Sequence, residues 1–169
     1  MYLFFDTETT GVPRKWNAPV TDLKNWPRMV QIAWVMYNEA GEQLDEQDYI
    51  IFPENYTIPY VVTQIHGIST KRAIAEGHDL KKVLELFAKA LSEVKVVVAH
   101  NIAFDEKIIG AEFLRKKIVH TYYEKEEFCT MKSTTHVTKI DGKFGYKWPK
   151  LDELYQHLFQ ETFTEQHNA

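Results

Sequence analysis

Apolar and polar positions change period several times along this chain, and each change marks an element. Residues 2–6 (YLFFD) are aromatic or aliphatic up to Asp6, the pattern of a short buried strand ended by polar residues. MVQIAWVMY (29–37) reads as a second strand, Gly41 as a turn and QDYIIF (47–52) as a third strand, so 29–52 predicts a hairpin. Between the first two strands, residues 12–27 carry Pro13, Pro19 and Pro27 beside Trp16 and Trp26, which predicts a loop insertion. Pro53 and Pro59 end the hairpin, and residues 58–66 and 69–76 read as two short helices around Gly67. Leu80, Val83, Leu84, Phe87 and Leu91 then recur at helical spacing, with Asp79 placed as N-cap.

VKVVVAH (94–100) is too β-branched for a helix and apolar on both faces, as a central strand is. Asn101 is placed to cap the next helix, which runs to about Lys117 through Phe104, Ile108, Ala111 and Leu114. Glu124 to Glu127 reads as a solvated face, and residues 139–148 as a Gly-containing loop rich in Lys and aromatics. Leu151, Leu154, Tyr155 and Leu158 predict a final amphipathic helix behind Pro149. Three strands, a helical block, a central strand and more helices make an α/β layered fold, with function expected at the ends of the central strands.

Composition and charge narrow the classes. The 169 residues suit one domain, 1–169, with a real core, and 44% hydrophobic with 26% charged residues is ordinary for a globular protein. Apolar runs are too short to span a bilayer, and no basic segment leads into an apolar core at the N-terminus, so neither a membrane span nor a signal peptide is expected. The single Cys129 cannot form an internal disulfide, which fits a cytoplasmic location. A net charge of −4 supplies no global attraction for nucleic acid, so such binding needs local basic patches or bound cations.

Asp6 and Glu8 are the first chemical signal. In a strand, residues i and i+2 share a face, so both carboxylates project together if the strand persists through Glu8. Two close carboxylates in a partly dry site repel, and one takes up a proton unless a hard cation such as Mg²⁺ neutralises both. Asp-x-Glu alone is weak and, without further support, reads as a pair of strand-end residues facing water. HNIAFD (100–105) adds weight: Asp105 falls in the first turn of a helix, where the dipole favours a carboxylate, and it shares an edge with Asp6 if the two strands are parallel neighbours.

DTETTG (6–11), HNIAFD (100–105) and HNA (167–169) together resemble the three motifs of the DnaQ-like, DEDDh-type 3′→5′ exonucleases. QIHGIS (64–69), WPRMVQIAWV (26–35), CTM (129–131) and WPKLDELYQHLF (148–159) resemble the same family, in the same order over essentially the whole chain. The resemblance implies a ribonuclease H-like fold: a five-stranded mixed sheet, with a three-strand antiparallel N-terminal part and parallel central strands, flanked by helices. It implies release of nucleoside 5′-monophosphates from single-stranded or 3′-end DNA or RNA, and a possible DNA polymerase partner in proofreading. Carried over by motif, Asp6, Glu8 and Asp105 are the metal ligands for two Mg²⁺ or Mn²⁺ ions, about 4 Å apart in such sites. His167 is the general base, a task suited to imidazole near neutral pH. Thr7, Thr9, His66, Asn101 and Phe104 are the substrate-side candidates; each also has an ordinary structural reading as strand filler, cap or core. Trp16 and Trp26 are either the rim of the site or packing for the loop.

The third family motif is His-x-Ala-x-x-Asp, and here it stops at Ala169, before the carboxylate. The expectation is a truncated chain that lacks its C-terminal helix and hydrolyses slowly. A haloacid-dehalogenase-type phosphatase also places an Asp after its first strand, but it needs Asp where Glu8 stands and leaves HNIAFD without a role. A non-catalytic nucleic-acid-binding or interaction module on the same fold is the remaining alternative.

Overall fold

The computed structural model describes residues 1–162. The chain order is β1 (Tyr2–Thr9), β2 (Met29–Tyr37), β3 (Gln43–Ile50), α1 (Tyr60–His66), α2 (Thr70–Glu76), α3 (Leu80–Glu93), β4 (Val96–Ala99) and α4 (Ile102–Lys116). A 3₁₀ turn (Tyr122–Glu124) leads into β5 (Glu126–Cys129), followed by the short helices α5 (Thr130–Ser133) and α6 (Thr135–Thr138), a small hairpin β6 (Asp141–Gly142) and β7 (Gly145–Tyr146), and α7 (Leu151–Phe159).

The main sheet has five strands in the order β3-β2-β1-β4-β5. β1 and β3 both pair antiparallel with β2, whereas β4 pairs parallel with β1 and with β5. This is the mixed sheet expected, with its antiparallel part at the N-terminus. The core lies where α3 and α4 cover one face: Leu3 and Phe5 of β1, Ile32 and Trp34 of β2 and Phe87 of α3 are all buried. Phe87 meets Phe5 at 5.6 Å and Trp34 at 5.2 Å between ring centroids. Such tilted and edge-on pairs add about 0.5–1.5 kcal/mol beyond area burial. The start of α3 follows the sequence pattern, because the Asp79 carboxylate accepts the Lys82 N–H at 2.9 Å.

Four expectations are corrected. β3 begins at Gln43, not at residue 47, and ends at Ile50. Its polar first half shows no alternating apolar pattern because it is an edge strand, where charged residues are tolerated and deter further pairing. Glu126 and Glu127 are exposed, as a solvated tract requires, but they also begin a strand, β5, at the opposite edge of the sheet, in register with Val96 and Val97. Residues 141–146 of the expected loop form a hairpin. Asn101 stands at the N-terminal boundary of α4, yet makes no side-chain cap bond and adopts the left-handed conformation (φ 66°, ψ 42°). Asn is among the few non-Gly residues that visit this region readily.

Gly77 shows how tightly the helical block is docked. Its backbone is extended, but a Cβ there would lie 2.2 Å from the Ala73 carbonyl oxygen and 2.6 Å from the Phe52 nitrogen. Both obstacles are backbone and cannot rotate away. Gly77→Ala is expected to cost about 1–3 kcal/mol by overpacking, measurable as a lower chemical-denaturation midpoint at unchanged m-value.

Candidate active site

β1 continues as a strand through Glu8, so the geometry of the opening motif follows from the pleat. Leu3, Phe5, Thr7 and Thr9 are buried, while Asp6 is exposed and Glu8 half-buried on the other face. β4 pairs with β1 only from Tyr2 to Phe4. Beyond Phe4 that edge of β1 has no strand beside it, and its backbone needs another partner. The partner is Asp105. The left-handed Asn101 turns the chain sharply from β4 into α4, and Asp105 in the first turn of α4 is 2% exposed. Its Oδ1 accepts the Thr7 N–H at 3.1 Å and the Thr7 hydroxyl at 2.6 Å. The strand carrying Asp6 and Glu8 and the helix carrying Asp105 are thus joined through the residue between the two acids.

The three carboxylates form one electrostatic group. Burial first, and the Asp6 charge second, push the Glu8 carboxyl up to about 7. The same two causes hold Asp105 well above the usual carboxylate range, against the opposing pull of the Thr7 hydrogen bonds. Protons therefore supply the neutralisation that a hard cation can supply instead. An all-oxygen donor set of this kind suits Mg²⁺ or Mn²⁺. Among the described residues no three His, Cys, Asp or Glu side chains already enclose a metal position. One oxygen of Asp105 is engaged by Thr7, so the carboxylates are near one another without forming a closed cage.

A pH dependence follows, with a definite sign. An acid whose folded pKa is raised stabilises the fold at low pH and loses that contribution as pH rises through the folded value. For Glu8 the window runs from its ordinary 4.5 to about 7, and Asp105 acts in the same direction. In EDTA, the Tm of the wild type relative to Glu8→Gln should fall across this window, and Mn²⁺ should reverse the fall near neutral pH. A flat difference would show that Glu8 is not strained in the folded state.

The other expected residues are spread around this centre. The Thr9 hydroxyl donates to the Gly11 carbonyl at 2.6 Å, closing the turn after β1. His66 is buried at the end of α1, where its Nδ1 accepts the Ile68 N–H at 3.1 Å. Phe104, half-buried one residue before Asp105, meets the exposed Trp16 at 5.8 Å between ring centroids. Trp26 takes the other course: it is buried, and its indole N–H donates to the Pro19 carbonyl at 3.0 Å. His167 lies outside the described residues.

Two features escaped the sequence reading. Glu112 is fully buried, and its Oε1 accepts from Arg28 Nε at 2.8 Å, the Met29 N–H at 3.1 Å and Arg115 at 2.9 Å. Arg115 also donates to the carbonyls of Leu23 and Trp26, which holds the loop insertion against α4. The signal was present in the helical spacing: Asp105, Ile108, Ile109 and Glu112 share one face, placing a second acid on an apolar stripe. The second feature is His100, whose ring reaches Thr130 Oγ1 at 3.0 Å and the Pro149 carbonyl at 3.1 Å, tying the end of β4 to the start of α7. No spacing rule connects residues 100, 130 and 149.

Sheet order, strand directions and acids at the open end of β1 define a ribonuclease H-like nuclease fold. Comparison with known proteins specifies it further: the RNase_T exonuclease family model matches residues 3–169, and the chain belongs to this DnaQ-like exonuclease family. It is 26% identical over 158 residues to the PolC-type DNA polymerase III of Mycoplasmopsis pulmonis, covering 93% of this chain and 10% of that protein. E. coli exonuclease I, solved in complex with a dA16 oligonucleotide, superposes with a TM-score of 0.74 at 17% identity over 99% of this chain and 37% of that one. Its complex with a dT13 oligonucleotide superposes with a TM-score of 0.71 at 18% identity. The chain therefore spans about a tenth of the polymerase and about a third of the exonuclease.

Proposed function

We propose that this domain is a metal-dependent 3′→5′ exonuclease that hydrolyses the terminal phosphodiester of a DNA strand and releases nucleoside 5′-monophosphates. The observation that carries this reading is the junction at Thr7, which joins the Asp6–Glu8 strand end to Asp105 on α4. Asp6, Glu8 and Asp105 would hold Mg²⁺ or Mn²⁺, which when bound supplies Lewis acidity toward the attacking water and the leaving oxygen. Asp6, exposed, and Glu8, half-buried, lie together on the outer face of the strand end, where bound ions would meet a terminal phosphate. Asp105 stays anchored by Thr7, so its carboxylate keeps one orientation. His167 takes the proton from the attacking water, and Phe104 with Trp16 flanks the entering nucleotide.

Similarity to a PolC-type DNA polymerase III supports a proofreading setting with a DNA polymerase partner, and the oligonucleotide complexes of exonuclease I support a single-stranded end as substrate. The buried, unpaired thiol of Cys129 supports a cytoplasmic setting. The test is mononucleotide release from 5′-labelled single strands in Mg²⁺ and in Mn²⁺. Shortening from the 3′ end is expected, with none in EDTA. Internal cleavage, or shortening from the 5′ end, overturns the assignment.

A further inference from the structure

The hairpin between α6 and α7 has a composition at odds with the rest of the protein. The whole chain carries a net charge of −4, yet between residues 132 and 150 five lysines meet one acid, Asp141. Lys139, Lys143 and Lys150 are exposed, whereas Lys147 is engaged by Glu153 at 2.6 Å. Aromatic residues stand among these cations: Phe144 is 93% exposed, and Tyr146 and Trp148 are exposed too.

The tip places its positive-φ glycine after the turn rather than within it. Gly142 pairs with Gly145, so Lys143 and Phe144 are the two loop residues. Such loops favour Asn-Gly or Gly-containing pairs, which reach positive φ at low cost. Here the glycines flank the tip instead: Gly145 takes φ 114°, and a Cβ on Gly142 would lie 2.9 Å from the Gly145 carbonyl oxygen. The backbone demand is met beside the tip, which frees its two positions for side chains that do nothing for the turn. Lys143 Nζ sits 5.1 Å from the Phe144 ring centroid, so the cation and the ring are presented together.

The hairpin is also anchored to the site. Its outgoing strand runs into Pro149, whose carbonyl meets the His100 ring at 3.1 Å, and His100 lies between the end of β4 and the helix that carries Asp105. The basic, aromatic surface is thereby tied to the turn between β4 and α4, just before the helix that carries Asp105.

We propose that the Lys143–Phe144 tip, with Trp148 and the neighbouring lysines, is a docking surface for the single-stranded DNA that leads away from the terminal nucleotide. This rests on the exonuclease reading and extends it to nucleotides remote from the scissile bond. Lysines neutralise phosphates, and exposed rings stack on bases whatever their sequence. A duplex keeps its bases stacked on one another and leaves Phe144 nothing to stack on.

The test compares the wild-type chain with Lys143→Ala/Phe144→Ala, which keeps both glycines and removes only exposed side chains. Affinities for fluorescein-labelled dT12, dT3 and a 12-base-pair duplex are measured by anisotropy in Ca²⁺ over a salt series. The double variant should bind dT12 about tenfold more weakly, with its salt slope reduced by about 0.7 for one lost phosphate contact. Binding of dT3 and Tm should be unchanged. Equal dT12 affinity for the two proteins overturns the proposal. So does an equal loss for the duplex, which would make the tip a general basic patch. Hydrolysis of thymidine 5′-p-nitrophenyl phosphate in Mn²⁺, which needs the reaction centre but no nucleotide beyond the terminal one, is measured alongside. Its absence in the wild type counts against the exonuclease reading and leaves the anisotropy result to decide the docking surface.

Discussion

Asp105→Asn is expected to lower mononucleotide release by on the order of 10³-fold while leaving the fold intact. The rate expectation follows from a metal site supplying several kcal/mol of transition-state charge stabilisation, at 1.36 kcal/mol for each factor of ten. The stability expectation follows from the local geometry. An asparagine oxygen can still accept the Thr7 N–H and hydroxyl, now made to the Asp105 carboxylate at 3.1 and 2.6 Å. The substitution removes a charge that burial and Asp6 both oppose. In EDTA at neutral pH the variant should melt no lower than the wild type, and Mn²⁺ should raise its Tm much less. A structural Asp105 with no part in catalysis would behave in the opposite way, with a lower Tm and an unchanged rate. Calorimetry with and without Mn²⁺, together with a strand-shortening assay, separates the two.

Glu112→Ala is expected to produce the largest loss of stability. The Glu112 side chain has 0% exposure, and its two guanidinium partners, Arg28 and Arg115, are only 23% and 14% exposed. Truncation leaves two half-buried cations without their common counter-charge and removes the acceptor of the Met29 N–H. Breaking one member of a buried ionic group costs about 3–5 kcal/mol. At about 2–4 °C per kcal/mol for a domain of this size, Tm should fall by about 6–20 °C. Glu112→Gln keeps an acceptor for Met29 and should lose less. A Tm within a degree of the wild type for Glu112→Ala would show that water reaches the arginines. Arg28 also contacts Glu54 and lies 4.6 Å from the Tyr56 ring centroid, so the damage should extend to the segment before α1.

The elements legible in the sequence were those whose signal is local. β2 matches its nine-residue apolar run, MVQIAWVMY. α3 carries its cap at Asp79, and its buried positions are those of the periodic stripe. β1 extends to Thr9, beyond the strand over 2–6 that the pattern predicts, because Asp6 resembles a terminus. A polar residue on an exposed face and a strand end look alike until the partner strand is known. Here β2 continues the pairing through Glu8 and Gln31. β5 was missed because an edge strand takes its order from the neighbour: Glu126 and Glu127 have no strand pattern of their own, and β4 supplies the ladder.

By itself the sequence determined the α/β layering and the motif order, since strand and helix periods are local patterns, and through the family resemblance it offered Asp6, Glu8 and Asp105 as candidates. Only the tertiary structure decided what those residues meet. The pairing of β4 stops at Phe4, and that vacancy lets Asp105 reach the Thr7 backbone across 98 positions of chain. The turn of α4 toward β2 gathers Arg28 and Arg115 around Glu112. Contacts of this kind depend on which strand ends first and which helix face turns inward. Those are properties of the whole packed chain, set by the burial of its core, and no local pattern encodes them.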